Sequence, residues 1–351
     1  MKIDMSALTA LRDQESVPVE GMVRAITGGL LQAYRDQTGY EGRAEVEIDR
    51  LDGTVRVFRI ETDGDGEVTG RIEDTPEDFG RSAALVVRDA VRGQIRSART
   101  DRTYGEYAHL ENTVVSGVVS RDVRANERGM TVVHLGTEAD GHDGMILTAE
   151  QIPGETLEHG QRVKSYVTGV TKTPRSVQIN LSRTHPELVR GLFALEVPEV
   201  ADGSVDIVSV AREAGHRTKI AVRSTVRGLN AKGACIGPRG QRVSNIMEEL
   251  GGEKIDIIDY ADAPERYVGN ALAPAKVVTV VVTDPDLQVA RAVVPDHQLS
   301  LAIGKEGQNA RLAARLTGWR IDIRPESDPE AVEITAGRPV QPAPGQDPLD
   351  A

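Results

Sequence analysis

The feature that most constrains this chain is a stretch of sequence that occurs twice. Gly237-Pro238-Arg239-Gly240 stands before a helix-like segment, and a second Gly-x-x-Gly begins 67 positions later, at Gly304, in a matching context. An Ile-Asp-Ile run follows each copy, and the two runs begin 66 positions apart. A single Gly-x-x-Gly is common and would predict little. Two in the same context predict one supersecondary unit written twice.

Each Gly-x-x-Gly precedes a segment with the periodicity of an amphipathic helix. Glycine allows turn conformations and close approach of another backbone, and a helix start offers free N–H groups to a phosphate. A KH domain holds about four nucleotides of single-stranded backbone with such a loop. We therefore predict an RNA-binding site at each copy. The candidate residues are Lys232, Gly237, Pro238, Arg239, Gly240, Gln241 and Arg242 in the first copy and Gly304, Lys305, Glu306, Gly307, Gln308, Asn309 and Arg311 in the second.

The two copies are not equal in charge. Glu306 lies inside the second loop and opposes phosphate binding, so we expect the second site to be weaker than the first. The whole chain of 351 residues has a net charge of −12, the wrong sign for indiscriminate nucleic-acid binding. From Arg212 to Arg242, however, eight Lys or Arg face one acid, a local charge of +7. Such a run is typical of a phosphate-facing surface, and the alternative is a solvated basic face.

Several classes of function are disfavoured by composition. The single cysteine, Cys235, excludes an internal disulfide and a multi-cysteine zinc site, and its apolar surroundings predict a packing role. The seven histidines are scattered without the spacing of metal ligands, so we expect no metal and no cofactor. No apolar run is long enough for a membrane, and no signal peptide is present. We expect a cytoplasmic monomer.

Residues 1–108 predict an α+β domain with no catalytic constellation. Alternating residues before and after the Asp52-Gly53 turn predict a hairpin, and a long helix is predicted over 77–99. One side of that helix carries Arg88, Arg92, Arg96 and Arg99, which from pattern alone predicts a solvated face. The other predicted elements are helices from Met5 and over 19–39 and strands over 44–48 and 55–60.

Residues 109–183 change to short strands separated by turns, which predicts a small closed barrel of the OB type. Such barrels bind single strands by aromatic stacking, and Tyr166 is the only aromatic residue across these strands. RNA binding and a spacer or docking role therefore both remain open. The predicted strands are 114–119, 130–135, 144–147, 162–170 and 176–182.

Residues 184–262 and 263–325 repeat one order of elements: helix, two strands, Gly-x-x-Gly loop, helix, strand. This is the bacterial (type II) arrangement of the KH fold. The short linker predicts that the two copies pack together. The proline-rich acidic tail, 326–351, is predicted to be disordered. The predicted elements are 186–195, 205–210, 216–222 and 254–258 in the first copy and 264–271, 276–282, 288–293 and 320–323 in the second.

The order of these domains resembles the NusA family of bacterial transcription elongation, termination and antitermination factors. The resemblance covers residues 1 to about 325 and is most specific in 193–199 (FALEVPE), 219–222 (KIAV), 233–237 (GACIG), 252–258 (GEKIDII), 302–304 (AIG) and 320–323 (RIDI). It implies a multidomain α+β chain with an N-terminal domain that docks on RNA polymerase, an S1-type barrel and two tandem KH domains that carry nascent single-stranded RNA. It also implies other antitermination factors as partners, and it places the helix with Arg88, Arg92, Arg96 and Arg99 near polymerase or emerging RNA. The C-terminal acidic repeats of some members are missing from this sequence.

Two other classes of function compete with the interpretation as a transcription factor. S1 and KH modules also serve RNA-degrading complexes, so the chain is alternatively an RNA-binding subunit of such a complex. A similar KH type occurs in the small ribosomal subunit, which makes a ribosome-associated protein the third reading. Against the first, residues 1–108 hold no acid–base set with histidine, and against the second stands the net charge of −12.

Overall fold

A computed structural model describes residues 1–15, 17–137, 140–174 and 176–329. The chain divides into two compact units. One holds Met1–His109 with Val170–Gln178, and the other holds Leu110–Gly169 with the chain from Ile179 onward. No helix in the described ranges combines the length and apolar character that crossing a membrane requires.

The N-terminal domain packs three helices with a three-stranded antiparallel sheet in strand order β1-β2-β3. The stripe Met22, Ile26, Leu30 and Tyr34 of the second helix is fully buried, and Gly39 ends that helix with a left-handed φ of 67°. The elements are α1 (Met5–Glu15), α2 (Val19–Thr38), β1 (Ala44–Ile48), β2 (Val55–Thr62), β3 (Val68–Glu73) and α3 (Phe79–Tyr107).

Two elements of this domain differ from the prediction. Strand β3 was not predicted, because it joins the sheet through backbone pairing with β2 while Val68 and Ile72 remain exposed, so no alternation marks it. Helix α3 continues eight residues beyond the predicted end at Arg99. The polar residues and Gly105 of that extension hide its periodicity, although Thr100 and Tyr107 are buried.

The predicted barrel is present and closed, in strand order β4-β5-β6-β8-β7. Strand β4 pairs antiparallel with β5 and with β7, and β5 pairs antiparallel with β6, whereas β6 and β8 are parallel. Its elements are β4 (Val114–Ser120), a short helix α4 (Val123–Glu127), β5 (Thr131–Leu135), β6 (His142–Ile146), β7 (Arg162–Lys172) and β8 (Val177–Ser182).

The two KH domains share one topology, which confirms the predicted duplication. In each, the middle strand pairs antiparallel with the strand before it and parallel with the strand after the helices. The first contains α5 (Pro186–Glu196), α6 (Pro198–Ala201), β9 (Val205–Glu213), β10 (Arg217–Ser224), α7 (Ala231–Ile236), α8 (Gln241–Glu249) and β11 (Lys254–Asp259). The second contains α9 (Pro264–Ala271), β12 (Thr279–Asp284), β13 (Val289–Val294), α10 (Leu299–Ile303), α11 (Gln308–Thr317) and β14 (Arg320–Pro325).

The two KH domains pack through a common apolar core. Ala221 and Ile258 of the first domain lie in one buried cluster with Val268 and Leu312 of the second. Polar contacts join the same surfaces, since the Ser209 hydroxyl donates to the Leu316 carbonyl at 3.0 Å. The predicted packing of the two copies is therefore present.

The barrel is joined to the first KH domain by a buried arginine. The Arg183 side chain is 1% exposed and donates to the Glu155 carboxylate of the barrel, with an Nε–Oε2 distance of 2.7 Å. It also donates to the Lys164 carbonyl of β7 at 2.6 Å and to the Glu249 carbonyl of α8 at 2.8 Å. Because α8 is the helix that follows the first Gly-x-x-Gly, this arginine connects the barrel to the candidate site.

The start of the predicted tail differs from the prediction. The Glu326 backbone N–H donates to the Val294 carbonyl at 2.9 Å, and the Ser327 N–H donates to the Asp296 carboxylate at 3.1 Å. These residues are therefore held against the second KH domain. The predicted disorder of the remaining tail falls on 330–351, outside the described residues.

Candidate nucleic-acid interface

The two Gly-x-x-Gly loops have the same backbone conformation. The first glycine has φ 74° and ψ 174° at Gly237, and φ 77° and ψ 171° at Gly304. The last glycine is left-handed, with φ 76° at Gly240 and 75° at Gly307. The two loops therefore share one backbone shape although both middle residues differ, because the glycines at their ends adopt the same conformations.

The glycines meet different requirements. A Cβ on Gly304 would lie 2.8 Å from the backbone N of Asn309, so space as well as conformation demands glycine there. A Cβ on Gly307 would meet no atom within 4 Å. The last glycine is therefore required by its backbone conformation, and its outer side is open to an approaching chain.

The third residue of each loop is also left-handed, with φ 54° at Arg239 and 53° at Glu306. This conformation is uncommon for residues other than glycine, and it clusters at functional sites. Both side chains are exposed. The same backbone position thus presents a cation in the first loop and an anion in the second.

A helix begins immediately after each loop, α8 after Gly240 and α11 after Gly307. Neither helix has a side-chain cap or an acidic residue in its first turn. The first N–H of each helix donates to a carbonyl of the loop, from Gln241 to Pro238 and from Gln308 to Lys305. The N–H groups that follow in the first turn are directed toward the loop, where they suit an anion such as a phosphate.

Three of the basic side chains predicted to bind RNA are free to contact a phosphate at the loops. Within the described ranges, no hydrogen bond or ion pair engages the side chains of Lys232, Arg239 or Lys305. Arg239 and Lys305 are exposed and Lys232 is half-buried. Two of the three, Lys232 and Arg239, belong to the first site, in line with the expectation that the first site binds RNA more strongly than the second.

Other predicted site residues are engaged within the protein. Arg242 donates to the Glu199 carboxylate at 2.9 Å and to the Ala234 carbonyl at 2.7 Å. Arg311 donates to the Glu213 carboxylate at 2.6 Å. Gln241 donates to the Asn245 side chain at 2.7 Å, and Gln308 to Glu213 at 3.0 Å.

Asn309 does not lie on the open side of the second loop. It is 5% exposed, and its side-chain amide donates to the carbonyls of Leu272 and Ala302 at 3.0 and 2.9 Å. It packs behind Gly304 and ties α11 to the preceding helix and to the end of α9. We assign it a structural role in place of the predicted contact with RNA.

The basic run from Arg212 to Arg242 is not a continuous phosphate-facing surface. Arg212 is paired with Glu253, and both side chains are almost fully buried. The Lys219 side chain is fully buried and donates to the Asp256 carboxylate at 3.0 Å and to the Ala273 carbonyl at 2.6 Å. The members of the run that pair with acids are Arg212, Arg217, Lys219, Arg223 and Arg242.

These pairings could not be read from the local charge. The partners of Arg212 and Lys219 lie 41 and 37 positions away, on the far side of the Gly-x-x-Gly loop. Burial penalises the charge of Asp256, but its hydrogen bonds with Arg217 and Lys219 outweigh that effect and lower its pKa. A buried cation whose charge is compensated by an ionised partner inside the protein is not available to RNA.

Cys235 is buried beneath the first loop, and burial raises the pKa of its thiol to about 11. Its predicted packing role agrees with this position. Asn230, which was not singled out from the sequence, caps the helix that contains Cys235 by accepting a hydrogen bond from the Gly233 N–H at 2.8 Å.

The barrel presents no aromatic platform on its predicted strands. Tyr166 is 8% exposed and stacks on His185, with ring centroids 4.5 Å apart. The Tyr166 ring is therefore buried and already stacked on another ring of the protein. A stacking role for this residue in RNA binding is not supported.

In the N-terminal domain the four predicted arginines of α3 are exposed. Arg88 donates to the adjacent Asp89 at 3.1 Å, and Arg99 donates to Glu15 of α1 at 2.8 Å. Arg92 and Arg96 have no such partner in the described parts of the chain. No cluster of three or more His, Cys, Asp or Glu with the geometry of a metal site occurs in those parts either.

Two type II KH folds, packed together and preceded by an OB-type barrel, define a class of nucleic-acid-binding protein that holds single strands with paired Gly-x-x-Gly loops. The sequence matches two family models, the NusA-like first KH domain over residues 183–260 and the NusA-like second KH domain over 264–331. The chain belongs to the NusA family, which confirms the resemblance inferred from the sequence.

Relatives match along nearly the whole chain. The transcription termination/antitermination protein NusA of Mycobacterium tuberculosis is 58% identical over 345 residues, which cover 98% of this chain and 97% of that protein. The Bacillus subtilis protein of the same name is 39% identical over 353 residues, with 94% and 92% covered. The solution structure of the N-terminal domain of NUSA from B. subtilis covers 27% of this chain and 94% of that domain at 27% identity, with a TM-score of 0.24.

Proposed function

We propose that this chain is an RNA-binding transcription termination/antitermination factor that holds nascent single-stranded RNA in its two Gly-x-x-Gly loops while its N-terminal domain is docked on RNA polymerase. The observation that carries the RNA-binding part is the pair of loops with one backbone shape, each placed before an uncapped helix start. The polymerase-docking part rests on family membership. The protein acts in the cytoplasm, where RNA is transcribed.

We divide the molecule accordingly into residues 1–108, which dock on polymerase, the S1-type barrel at 109–183, the two KH domains at 184–262 and 263–325, and the tail. Binding changes the folding of the emerging RNA and thereby polymerase pausing, termination and antitermination. Other antitermination factors are further partners in this proposal.

The loops are tested with acids placed where phosphates should lie. Pro238→Asp with Arg239→Asp, and Lys305→Asp with Glu306→Asp, keep the glycines, and aspartate tolerates the left-handed third position. Salt-dependent binding of short single-stranded RNAs should weaken for both variants, more for the first, with a shallower salt slope.

Arg320→Asp is the matched control, because it changes the charge by the same two units as the second loop variant. Arg320 is exposed on β14, next to a residue that faces the core. If both loop variants bind RNA as tightly as the wild type, the loops are structural turns and the proposal is wrong.

Polymerase docking is tested with Arg92→Gln combined with Arg96→Gln, which removes two exposed charges of α3. We expect weaker association with RNA polymerase and a reduced effect on pausing, while binding of free RNA is unchanged. Arg102→Gln, at an exposed position of the same helix, serves as the control. An unchanged effect on pausing would contradict a role for this face.

We also propose that the chain has no catalytic activity of its own. The one thiol is buried, and its raised pKa disfavours a nucleophilic thiolate at neutral pH. Labelled RNA incubated with the purified protein, Mg²⁺ and phosphate should remain full-length. Shortened products would instead favour the RNA-degrading alternative.

A further inference from the structure

A carboxylate of the first KH domain contacts α11, the helix that follows the Gly-x-x-Gly loop of the second KH domain. Glu213 stands at the end of β9, with a side chain that is 18% exposed. Its carboxylate accepts a hydrogen bond from Arg311 Nε at 2.6 Å and one from Gln308 Nε2 at 3.0 Å. Arg315 Nη1 lies 3.9 Å from the same carboxylate. All three partners are on α11, which begins at the second loop.

The arginine held in this way is part of the loop environment. Arg311 Nη1 donates to the carbonyl of Glu306, the third residue of the loop, at 3.2 Å. The guanidinium therefore lies between the loop and Glu213. Its hydrogen bond holds the pKa of Glu213 below the usual range, which keeps the carboxylate ionised at neutral pH.

We propose that Glu213 is an affinity-determining residue of the second loop: its carboxylate takes up the side-chain donors of Arg311 and Gln308 that a phosphate at this loop would otherwise receive. RNA bound at the second loop must compete with an acid of the first KH domain. This inference rests on the proposed function and adds what sets the unequal strength of the two sites.

The two loops differ in what such an acid leaves behind. In the first, Glu199 pairs with Arg242, but the exposed Arg239 and the half-buried Lys232 remain. In the second, the position of Arg239 is taken by Glu306, so Lys305 is the cation left on the loop once Arg311 is paired. An internal carboxylate therefore weakens the second loop more than the first.

A purely structural role for Glu213 makes the opposite prediction. The residue also joins the two KH domains, since it comes from β9 and binds α11. If joining them were its contribution to RNA binding, neutralising it would loosen the second loop and weaken binding. The direction of the change in affinity therefore separates the two roles.

The test uses the full chain with Glu213→Gln and with the pair Glu213→Gln and Arg311→Gln, in salt-dependent binding of short single-stranded RNAs. The single variant should bind about threefold more tightly, the size expected when an exposed ion pair is released. Its plot of log affinity against log salt should be steeper by about 0.7 for one further phosphate neutralised. The double variant should return to within about twofold of the wild type, with the original slope.

Asp322→Asn is the matched control for net charge. Asp322 lies in the second KH domain, which contains the loop under test, and pairs with Arg291 and Arg324. Its neighbours Ile321 and Ile323 face the core, so Asp322 lies on the other face of the sheet. Its affinity and slope should equal those of the wild type. A gain as large as that of Glu213→Gln would assign the effect to net charge and overturn the proposal.

Glu213→Asp provides a second variant that keeps the charge while withdrawing the carboxylate by one methylene, and a smaller gain in the same direction is expected. Fluorescence of Trp319, the single tryptophan, checks that the second KH domain is folded in each variant. Equal or weaker RNA binding by folded Glu213→Gln would overturn this inference alone, provided that the aspartate variants of the loops still lose RNA. Loops that tolerate those aspartates would overturn the proposed function itself.

Discussion

Individual residues of the loops are constrained by backbone conformation before any RNA is bound. The φ 77° and ψ 171° of Gly304 lie in a region that is essentially restricted to glycine, whereas Gly307 is in the left-handed helical region that other residues enter at a moderate cost. A side chain at Gly304 would also collide with the backbone of Asn309. The two glycines of one motif therefore differ in how well they tolerate replacement.

Gly304→Ala should destabilise the second KH domain more than Gly307→Ala. The left-handed conformation costs an alanine about 1–2 kcal/mol, and Gly304→Ala adds a steric collision to a less favourable conformation. Urea unfolding followed by Trp319 fluorescence reports on this domain, because the only tryptophan is partly buried and packs against its core. Equal midpoints for the two variants would show that the loop relaxes around the added methyl group.

At this scale the sequence identified the loop but not the partners of its side chains. The side chains of Arg239 and Lys305 are exposed in the loops that the motif predicts, because the loop conformation depends on residues close together in the sequence. The pairing of Arg311 with Glu213 spans 98 positions, and no local pattern indicates it. The predicted contacts with RNA are still predictions.

Among the structural elements, the last strand of each KH domain carries an aspartate at the same place with different surroundings. Asp256 on β11 pairs with Lys219 on β10, whose side chain has no exposure. Asp322 on β14 pairs with Arg291 on β13, whose side chain is 23% exposed. The aspartate at this position thus compensates the charge of a buried cation in the first copy and that of a partly exposed cation in the second.

Asp256→Asn should therefore lower the free energy of unfolding by about 3 kcal/mol at pH 7, since it leaves a buried lysine without its counter-charge. Asp322→Asn should cost less than about 1 kcal/mol. The pKa of Asp256 is lowered in the folded state. Its contribution is thus fully present above its ordinary value of 3.8 and is lost as the pH falls through the lowered pKa.

Urea unfolding of both variants and the wild type, at pH 7 and at successively lower pH, checks the comparison. The difference between Asp256→Asn and the wild type should narrow only in acid. A similar cost for the two variants at pH 7 would contradict the assigned role of burial.

How well an element was predicted followed its burial pattern. Helix α9 was predicted with the bounds Pro264–Ala271 that the structure shows, because a proline begins it and a buried stripe continues it. Strand β3 has no buried side chain and was missed. Strand β12 begins three residues later than predicted, because the Lys276 N–H donates to the Gln298 side chain in front of it.

At the scale of the whole molecule, Arg183 connects the barrel to the first KH domain, although no pattern in the sequence predicts this role. Its guanidinium binds the Glu155 carboxylate and the carbonyls of Lys164 and Glu249. The Lys164 N–H in turn donates to the Glu249 carboxylate at 3.0 Å. Because these partners are brought together only by the fold, the order of domains was predictable and the way they are joined was not.

Arg183→Met should release the barrel from the first KH domain, because two partly buried carboxylates would lose their common cation. Hydrogen exchange at the Lys164 amide of β7 should become faster by at least tenfold. Arg190→Met serves as the control, since Arg190 pairs with Glu187 near the surface of the same KH domain. Unchanged protection at Lys164 would show that apolar contacts alone hold the barrel in place.

The common core of the two KH domains also bears on how RNA length is read. Because Ala221, Ile258 and Leu312 pack in one buried cluster, packing sets the spacing of the two loops, where a flexible tether would let it vary. An RNA strand would then be selected by the number of nucleotides between the two segments that contact the loops. Two contact segments separated by too few or too many nucleotides could not be engaged together, whatever their base sequence.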